Sequence, residues 1–184
     1  MARTRDEQKR KKILQTSKVL FSNKGYANTS ISDIVQETEM PVGTIYTYFK
    51  RKDGILTAIV EEGWTDFSSQ LERIAHLEIS GQERLRIIID KFIPELLKDL
   101  NLINILLTET IEITQIEKKM DKITDIIFTI IKDIPDAARS IKDLSRKMLQ
   151  TSIVVVFLGI LSTANLAKTK RTEIEVSDIL DFVK

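Results

Sequence analysis

The chain has 184 residues, of which 42% are hydrophobic and 30% charged, the composition of a folded globular protein and not of a disordered one. It contains no cysteine and one histidine, His76, which excludes disulfides, thiolate metal sites and histidine-rich metal sites. The charged N-terminus is not followed by the apolar run of a signal peptide, and the longest apolar run, residues 153–161, is about half of a bilayer span. We therefore expect a cytoplasmic protein without a metal, a cofactor or a membrane contact.

Charge is divided unevenly along the chain. Residues 1–52 carry eleven Lys and Arg against five Asp and Glu, a net charge of +6, whereas the remainder carries −5. A basic first part suggests that one end of the molecule meets a polyanion, most simply nucleic acid. Chance segregation of charge on a solvated surface accounts for the same numbers equally well.

The distribution of proline and glycine predicts an all-α chain. Proline occurs three times and glycine six times, which is too little punctuation for a chain of strands. Apolar periodicity and end signals predict helices over residues 5–23, about 31–38, 42–49, 51–75, from 81 with a bend or break at Pro94, 101–113, 114–134, 136–167 and 173–183.

Two short helices joined by a tight turn follow the basic first helix. Ser30 can cap the second helix in a reciprocal box with Asp33, and the fixed φ of Pro41 suits the first turn of the third helix. Together the two short helices have helix-turn-helix dimensions. We therefore predict a three-helix domain over residues 1–52 and a larger helical-bundle domain over residues 53–184.

The third helix carries side chains suited to nucleic acid. Gly43 and Thr44 lie in its first turn, where free backbone N–H groups and a hydroxyl can hold a phosphate oxygen. Tyr46 and Tyr48 face outward if the apolar side chains of this helix face inward, and a phenol is a donor of long reach. Val42 could contact a base only through apolar groups, most plausibly a thymine methyl.

Basic side chains flank this helix on both sides in the sequence. Lys52 adds a cation at the start of the fourth helix, and Arg3 and Arg5 in an N-terminal arm could enter a neighbouring minor groove. The alternative for each residue taken alone is structural, because tyrosines at helical spacing often pack and a basic run before a helix is often a solvated turn.

A longer pattern in this part of the chain resembles a known family. Residues 9–60 look like the DNA-binding head of TetR-family transcriptional regulators of the TetR/AcrR type. The matching positions are Ile13, Leu14, Leu20, Phe21, Gly25, Tyr26, Thr29, Ser30, Ile34, Gly43, Thr44, Ile45, Tyr46, Tyr48 and Phe49.

The resemblance implies roles for individual residues. Contacts to the DNA backbone are implied for Thr29 or Ser30 on the second helix and for Thr44, Tyr46, Tyr48 and Lys52. A base contact is implied for Val42. Family members usually have a serine at the position of Pro41 and a polar or small residue at that of Val42, so the usual cap is missing here and the base-reading surface is unusually apolar.

The resemblance also implies a dimer built through the last two helices. Independently, residues 153–161 are apolar over a wider arc than one core face needs, and Gly159 would let another helix approach closely. The candidate interface residues are Leu149, Ile153, Phe157, Leu161, Ile179, Leu180 and Val183. A two-fold dimer predicts a pseudo-palindromic DNA operator. The alternative is a helix buried within one subunit.

The family holds an inducer pocket among its middle helices. Large apolar residues there are candidate walls, and one threonine could orient a ligand, although for each of them ordinary core is the better interpretation. These residues are Trp64, Phe67, Phe92, Leu107, Thr110 and Phe128. Because no charged residue stands out as a partner for a charged ligand, we expect a small, mostly apolar inducer.

The sequence as a whole indicates a homodimeric DNA-binding regulator, most simply a repressor that leaves its operator when a ligand binds. A second hypothesis is a DNA-binding regulator controlled by a protein partner. A third is a small helical enzyme, against which stand the absence of cysteine, the single histidine and the lack of a glycine-rich phosphate loop.

Overall fold

The computed structural model describes residues 6–99, 105, 113–135, 137 and 145–168. Every regular element in these ranges is helical, which confirms the all-α prediction, and none of the described helices is long and apolar enough to cross a membrane. The elements are α1 (Glu7–Lys24), α2 (Ile31–Thr38), α3 (Val42–Tyr48), α4 (Lys52–Ala75), α5 (Gly81–Ile87), a π-helical turn (Ile88–Phe92), α6 (Ile93–Leu96), α7 (Ile113–Ile131) and α8 (Arg146–Lys168). The helix predicted over residues 173–183, and nearly all of the one predicted over 101–113, lie outside the described residues.

Local end signals fix the first three helices. Ser30 and Asp33 form the predicted capping box at the start of α2, and α3 begins after Pro41, as expected. Gly25 ends α1 at a φ of +80° and a ψ of 152°, a conformation outside the left-handed helical region that glycine adopts readily and other residues rarely do. The left-handed residue is instead Glu39, which ends α2 with a φ of 56° and a ψ of 25°.

The structure divides into two compact units within α4, between Gly63 and Trp64. The first unit contains α1, α2, α3 and the first part of α4, and each of these helices contributes side chains that are buried in it. Its most deeply buried apolar residues are Ile13, Phe21, Ile34, Ile45, Ile55 and Ile105. An ion pair between Arg10 and Glu62 joins α1 to α4 at the surface of this unit. The functional boundary after residue 52 stays a prediction.

The second unit begins at Trp64, excludes residues 101–110 and has a core of its own. Side chains from the second part of α4, the π-helical turn and α7 form its centre, including Phe67, Leu71, Phe92 and Ile130. Gly81 starts α5 against the end of α7, where a Cβ atom would stand 2.8 Å from the carbonyl oxygen of Ile130. No side chain fits at position 81 without moving the backbone of α7.

The sequence predicted a bend or a break at Pro94. The helix does not break at this residue. The path continues from α5 to Leu96, and the irregularity lies one turn earlier, where Ile93 N–H bonds to the carbonyl of Ile88, five residues back. Proline has no N–H and crowds the preceding turn, so a wider π-helical turn before it is a common accommodation.

Candidate nucleic-acid interface

The outer face of α3 carries an apolar side chain and a phenol one helical turn apart. Val42 is 51% exposed and Tyr46 is 50% exposed, whereas Ile45 and Phe49 on the opposite side are buried. This arrangement confirms the predicted outward orientation of Tyr46. Among the described residues the Tyr46 hydroxyl has no hydrogen-bond partner, so its single donor is available to a ligand.

The first turn of α3 is open to the outside. Pro41 gives it no side-chain hydrogen bond, and a Cβ atom added at Gly43 would meet nothing within 4 Å. Thr44 N–H donates to the carbonyl of Pro41 at 2.8 Å, and the half-buried Thr44 hydroxyl bonds to no other described residue. A phosphate group or a base edge can therefore come close to this turn.

Tyr48, in contrast, faces α1. Its side chain is half-buried, and its hydroxyl donates to the backbone carbonyl of Asp6 at 3.0 Å. Asp6 is the N-cap of α1, where its carboxylate accepts from the N–H of Gln8 at 3.0 Å. The one donor of Tyr48 thus ties the end of α3 to the start of α1 in this structure.

Thr29 and Ser30, the two candidates for a DNA-backbone contact at the start of α2, have different surroundings in the structure. Thr29 is 1% exposed and its hydroxyl donates to the carbonyl of Gly25 at 2.9 Å, so the structure contradicts a direct DNA contact from this side chain. Ser30 is exposed, but its hydroxyl accepts from Asp33 N–H at 3.1 Å and donates to the Asp33 carboxylate at 2.6 Å. Hydrogen bonds from Ser30 and from Lys24 hold the pKa of Asp33 far below its ordinary value.

The first unit carries several exposed basic side chains on α1 and directly after α3. Lys11 and Lys12 of α1 and Lys50 after α3 are exposed, and so is Arg51, which pairs with Asp53 at 3.0 Å. An exposed ion pair of this kind contributes little and exchanges readily for a phosphate. Lys52 differs from these residues, because it is half-buried and donates to the backbone carbonyls of Tyr26 and Thr29.

Three of the residues predicted to line a pocket come together in the second unit. Trp64 and Phe67 stack with ring centroids 5.4 Å apart, and Phe67 lies 5.3 Å from Phe92. Phe128 is described too, but it is 46% exposed and is not one of the residues that form this cluster. Leu107 and Thr110 lie outside the described residues.

Of the residues predicted to form the dimer interface, the structure describes the surroundings of two side chains. Ile153 of α8 packs against the core of its own subunit and Leu149 is half-buried, so neither side chain faces fully outward. Ile179, Leu180 and Val183 lie outside the described residues, as do the side chains of Phe157 and Leu161. Among the side chains of α8 that the structure describes, the large apolar ones that are exposed are Met148, Val155, Val156 and Leu166.

The sequence missed this outer face because the run at 153–161 is apolar nearly all round and so shows no preferred side. A clearer signal was the four-then-three spacing of six residues along α8, all exposed in the structure. These residues, Met148, Ser152, Val155, Gly159, Ser162 and Leu166, are called the outer seam of α8 below.

These features define the class of protein. A three-helix unit with an exposed third helix, continued by a long helix into a unit with its own core, is a helix-turn-helix protein with a helical body. Residues 13–59 match the family model described as "Bacterial regulatory proteins, tetR family". Over these residues the chain is similar to this family of regulators.

Curated relatives support the family over the N-terminal part. The chain is 30% identical over 99 residues to the fatty acid metabolism regulator protein of Bacillus subtilis (strain 168), a match that covers 52% of this chain and 51% of the relative. The chain spans about half or less of the length of the curated relatives that it matches.

Solved structures show that the likeness of fold extends over nearly the whole chain. The regulator FadR of Bacillus subtilis, solved with stearoyl-CoA, has a TM-score of 0.74 at 19% identity, over 95% of this chain and 97% of that one. SmeT is the repressor of the Stenotrophomonas maltophilia multidrug efflux pump SmeDEF. Its structure with triclosan has a TM-score of 0.72 at 22% identity, over 95% of this chain and 89% of that one. At these identities the comparison shows the fold alone.

Proposed function

We propose that the protein is a sequence-specific DNA-binding transcriptional regulator, and so works in the cytoplasm beside the DNA. The observation that carries this proposal is the outer face of α3, where Val42, Gly43 and Tyr46 form an exposed surface backed by buried side chains. An exposed apolar residue beside an unbonded phenol gives no packing benefit, whereas both suit a major groove.

The residues of α3 would divide the work between bases and backbone. Val42 makes an apolar contact to a base, and Gly43 allows the helix to approach closely. Thr44 and Tyr46 donate to phosphate oxygens, which fixes the register of the helix on the duplex. Ser30 would act through the backbone N–H groups at the start of α2, because its hydroxyl is committed to the capping box.

We further propose that two copies associate through the outer seam of α8. Its four-then-three spacing repeats every seven residues, the period that lets two helices pack along a common line. Three of its members, Ser152, Gly159 and Ser162, are small, so the two helix backbones can come close. A two-fold dimer would present two copies of α3 to a pseudo-palindromic operator.

The effector would be a small molecule with a large apolar part, and its binding would release the operator. FadR of Bacillus subtilis was solved with stearoyl-CoA and SmeT with triclosan, two ligands that each contain a large apolar group. In this chain Trp64, Phe67 and Phe92 supply an apolar wall of matching chemistry. A ligand that binds better to one position of α4 would favour dimers whose α3 helices no longer match the groove.

A direct test is binding of the purified chain to a duplex from upstream of its own coding region, against a shuffled duplex. We expect tighter binding to the upstream duplex, and Tyr46→Ala should weaken it by about tenfold. Equal affinity for the two duplexes would contradict specific recognition of that region. Release by stearoyl-CoA or triclosan would support a small-molecule effector, whereas binding unaffected by both would favour control by a protein partner.

A further inference from the structure

The ammonium group of Lys52 is enclosed by backbone carbonyl groups. Lys52 is the first residue of α4, and its Nζ donates to the carbonyl oxygens of Tyr26 at 2.6 Å, of Thr29 at 2.7 Å and of Ala27 at 3.5 Å. An ammonium has three N–H donors and no acceptor. Two short bonds and a third contact at the limit of hydrogen-bond distance direct this group at backbone carbonyls, so a DNA phosphate would have to compete with them.

Tyr26 holds the start of α4 through two more contacts. Its ring centroid lies 4.2 Å from the Lys52 Nζ, a cation–π distance. Its hydroxyl donates to the carboxylate of Asp53, which keeps the pKa of that carboxyl below its ordinary value. The same ring packs edge-on against Phe21 of α1 at 5.2 Å. One aromatic side chain thus joins the end of α1 to the first turn of α4.

The turn between α1 and α2, residues 25–30, is also braced from within. Thr29 donates to the carbonyl of Gly25 at 2.9 Å, and the side-chain amide of Asn28 donates to the carbonyl of Lys24 at 3.1 Å. This turn leads directly into Ser30, the N-cap of α2. Whatever holds the turn therefore also holds the entry to α2 in place, and α3 packs against α2.

We infer that Lys52 is a positioning residue, which fixes the α1–α2 turn to the start of α4 and so sets the helix-turn-helix on α4, and that it does not contact a DNA phosphate. The inference rests on the proposed DNA-binding function. It replaces the phosphate contact that the family resemblance implies for this lysine, because the lysine's donors are directed into its own subunit.

The salt dependence of DNA binding separates the two roles. We would measure Lys52→Met by fluorescence anisotropy on the upstream duplex and on a random-sequence duplex, across a salt series. A positioning role predicts about tenfold weaker binding to the upstream duplex with the slope of log K against log [salt] unchanged. A slope shallower by about 0.9, the value of one lost phosphate contact, would overturn the inference. Lys91→Met is the matched control, since it removes the same charge from an exposed position in the second unit.

Hydrogen exchange of the protein without DNA supplies a second measurement. We expect the amides of residues 26–30 to exchange about tenfold faster in Lys52→Met than in wild type or Lys91→Met, because the brace is lost. Unchanged exchange would overturn the positioning role. If wild type shows no preference among duplexes, the proposed function fails, while exchange still decides whether Lys52 holds the turn.

Tyr26→Phe keeps the inference testable if Lys52→Met does not fold. It removes the hydrogen bond to Asp53 but changes no positive charge and retains the ring under Lys52. We expect faster exchange in residues 26–30 and weaker binding at an unchanged salt slope. Wild-type exchange and affinity in Tyr26→Phe would show that the turn does not depend on this brace.

Discussion

Gly43 lies in the first turn of α3 with open space beside its Cα atom. Gly43→Ala should raise the free energy of unfolding by up to about 1 kcal/mol, because alanine is the better helix former. The methyl group that Gly43→Ala adds would stand between α3 and the DNA, so we expect about tenfold weaker operator binding. Unfolding in urea and fluorescence anisotropy measure the two effects separately.

Gly54→Ala is the control for this pair of effects. Gly54 lies in α4 with equally open space around it, and it is not part of the proposed DNA-binding face. It should gain stability with no loss of affinity. If Gly43→Ala bound DNA as tightly as Gly54→Ala, close approach of DNA to α3 at this position would be wrong.

The two tyrosines of α3 offer a matched comparison. Tyr48→Phe should lower the free energy of unfolding by about 1 kcal/mol, because its hydroxyl bonds to the carbonyl of Asp6. Tyr46→Phe should leave stability unchanged and weaken DNA binding, because its hydroxyl bonds to no other described residue. Thermal unfolding of both variants, followed by anisotropy on the upstream duplex, tests the assignment. Equal stability losses would contradict it.

At the scale of residues the sequence predicted orientation better than hydrogen bonding. The outward position of Tyr46 follows from helical spacing alone. The burial of Thr29 and the carbonyl partners of Lys52 depend on which backbone groups a distant turn brings near. Pattern and spacing contain no information on those contacts, so polar residues that brace the fold resembled residues that bind DNA.

At the scale of elements, the capping box of α2 predicts that the free energy of unfolding depends on pH. Asp33 has a lowered pKa in the folded state, first because Ser30 donates to it and then because Lys24 does. Its stabilising effect is present above the ordinary pKa of an aspartate and is lost as pH falls through the folded-state value. The difference in unfolding free energy between wild type and Asp33→Asn should therefore stay constant above about pH 5 and narrow as pH falls from about 5 to about 3.

Glu37→Gln on the same helix is the control for the loss of one negative charge. Urea unfolding at each pH gives the free energies for all three proteins. A wild-type advantage over Asp33→Asn that stays constant down to about pH 3 would contradict a charged cap at the start of α2.

The bounds of the short helices in the first unit were predictable, because residues at or next to the helix ends determine where these helices begin. Ser30, Asp33 and Pro41 act on their immediate neighbours, and the structure begins α2 and α3 where they indicate. The π-helical turn before Pro94 was not predictable in position. Proline requires an accommodation, but Ile88 and Phe92 at the two ends of the turn are core residues of the second unit, and local sequence does not encode such long-range packing.

At the scale of the whole molecule, association is proposed to depend on the outer seam of α8. Val155 is 63% exposed at its centre. Val155→Glu should convert the dimer to monomers, because two copies would bury facing carboxylates in an apolar seam. Sedimentation velocity measures the change, and Lys147→Gln, which alters the charge by the same amount off the seam, should stay dimeric. A dimeric Val155→Glu would place the interface elsewhere.

The sequence indicated a partner surface on this helix but assigned Ile153 to it, which the structure packs inward. An apolar run with few polar residues fits several rotations of a helix about its axis. Contacts with α7, including the ion pair of Arg146 with Asp125 at 2.5 Å, select one of them. Periodicity over a longer stretch, from 148 to 166, was the signal that distinguishes the outer face.

The most direct test of the central claim, that two copies of α3 read DNA through their exposed faces, is selection of duplexes from a random pool by the immobilised protein, followed by sequencing. We predict enrichment of a pseudo-palindrome whose half-sites lie about one helical turn apart, with the enrichment lost in Tyr46→Ala. A pool that stays random, or one enriched equally by Tyr46→Ala, would contradict the claim.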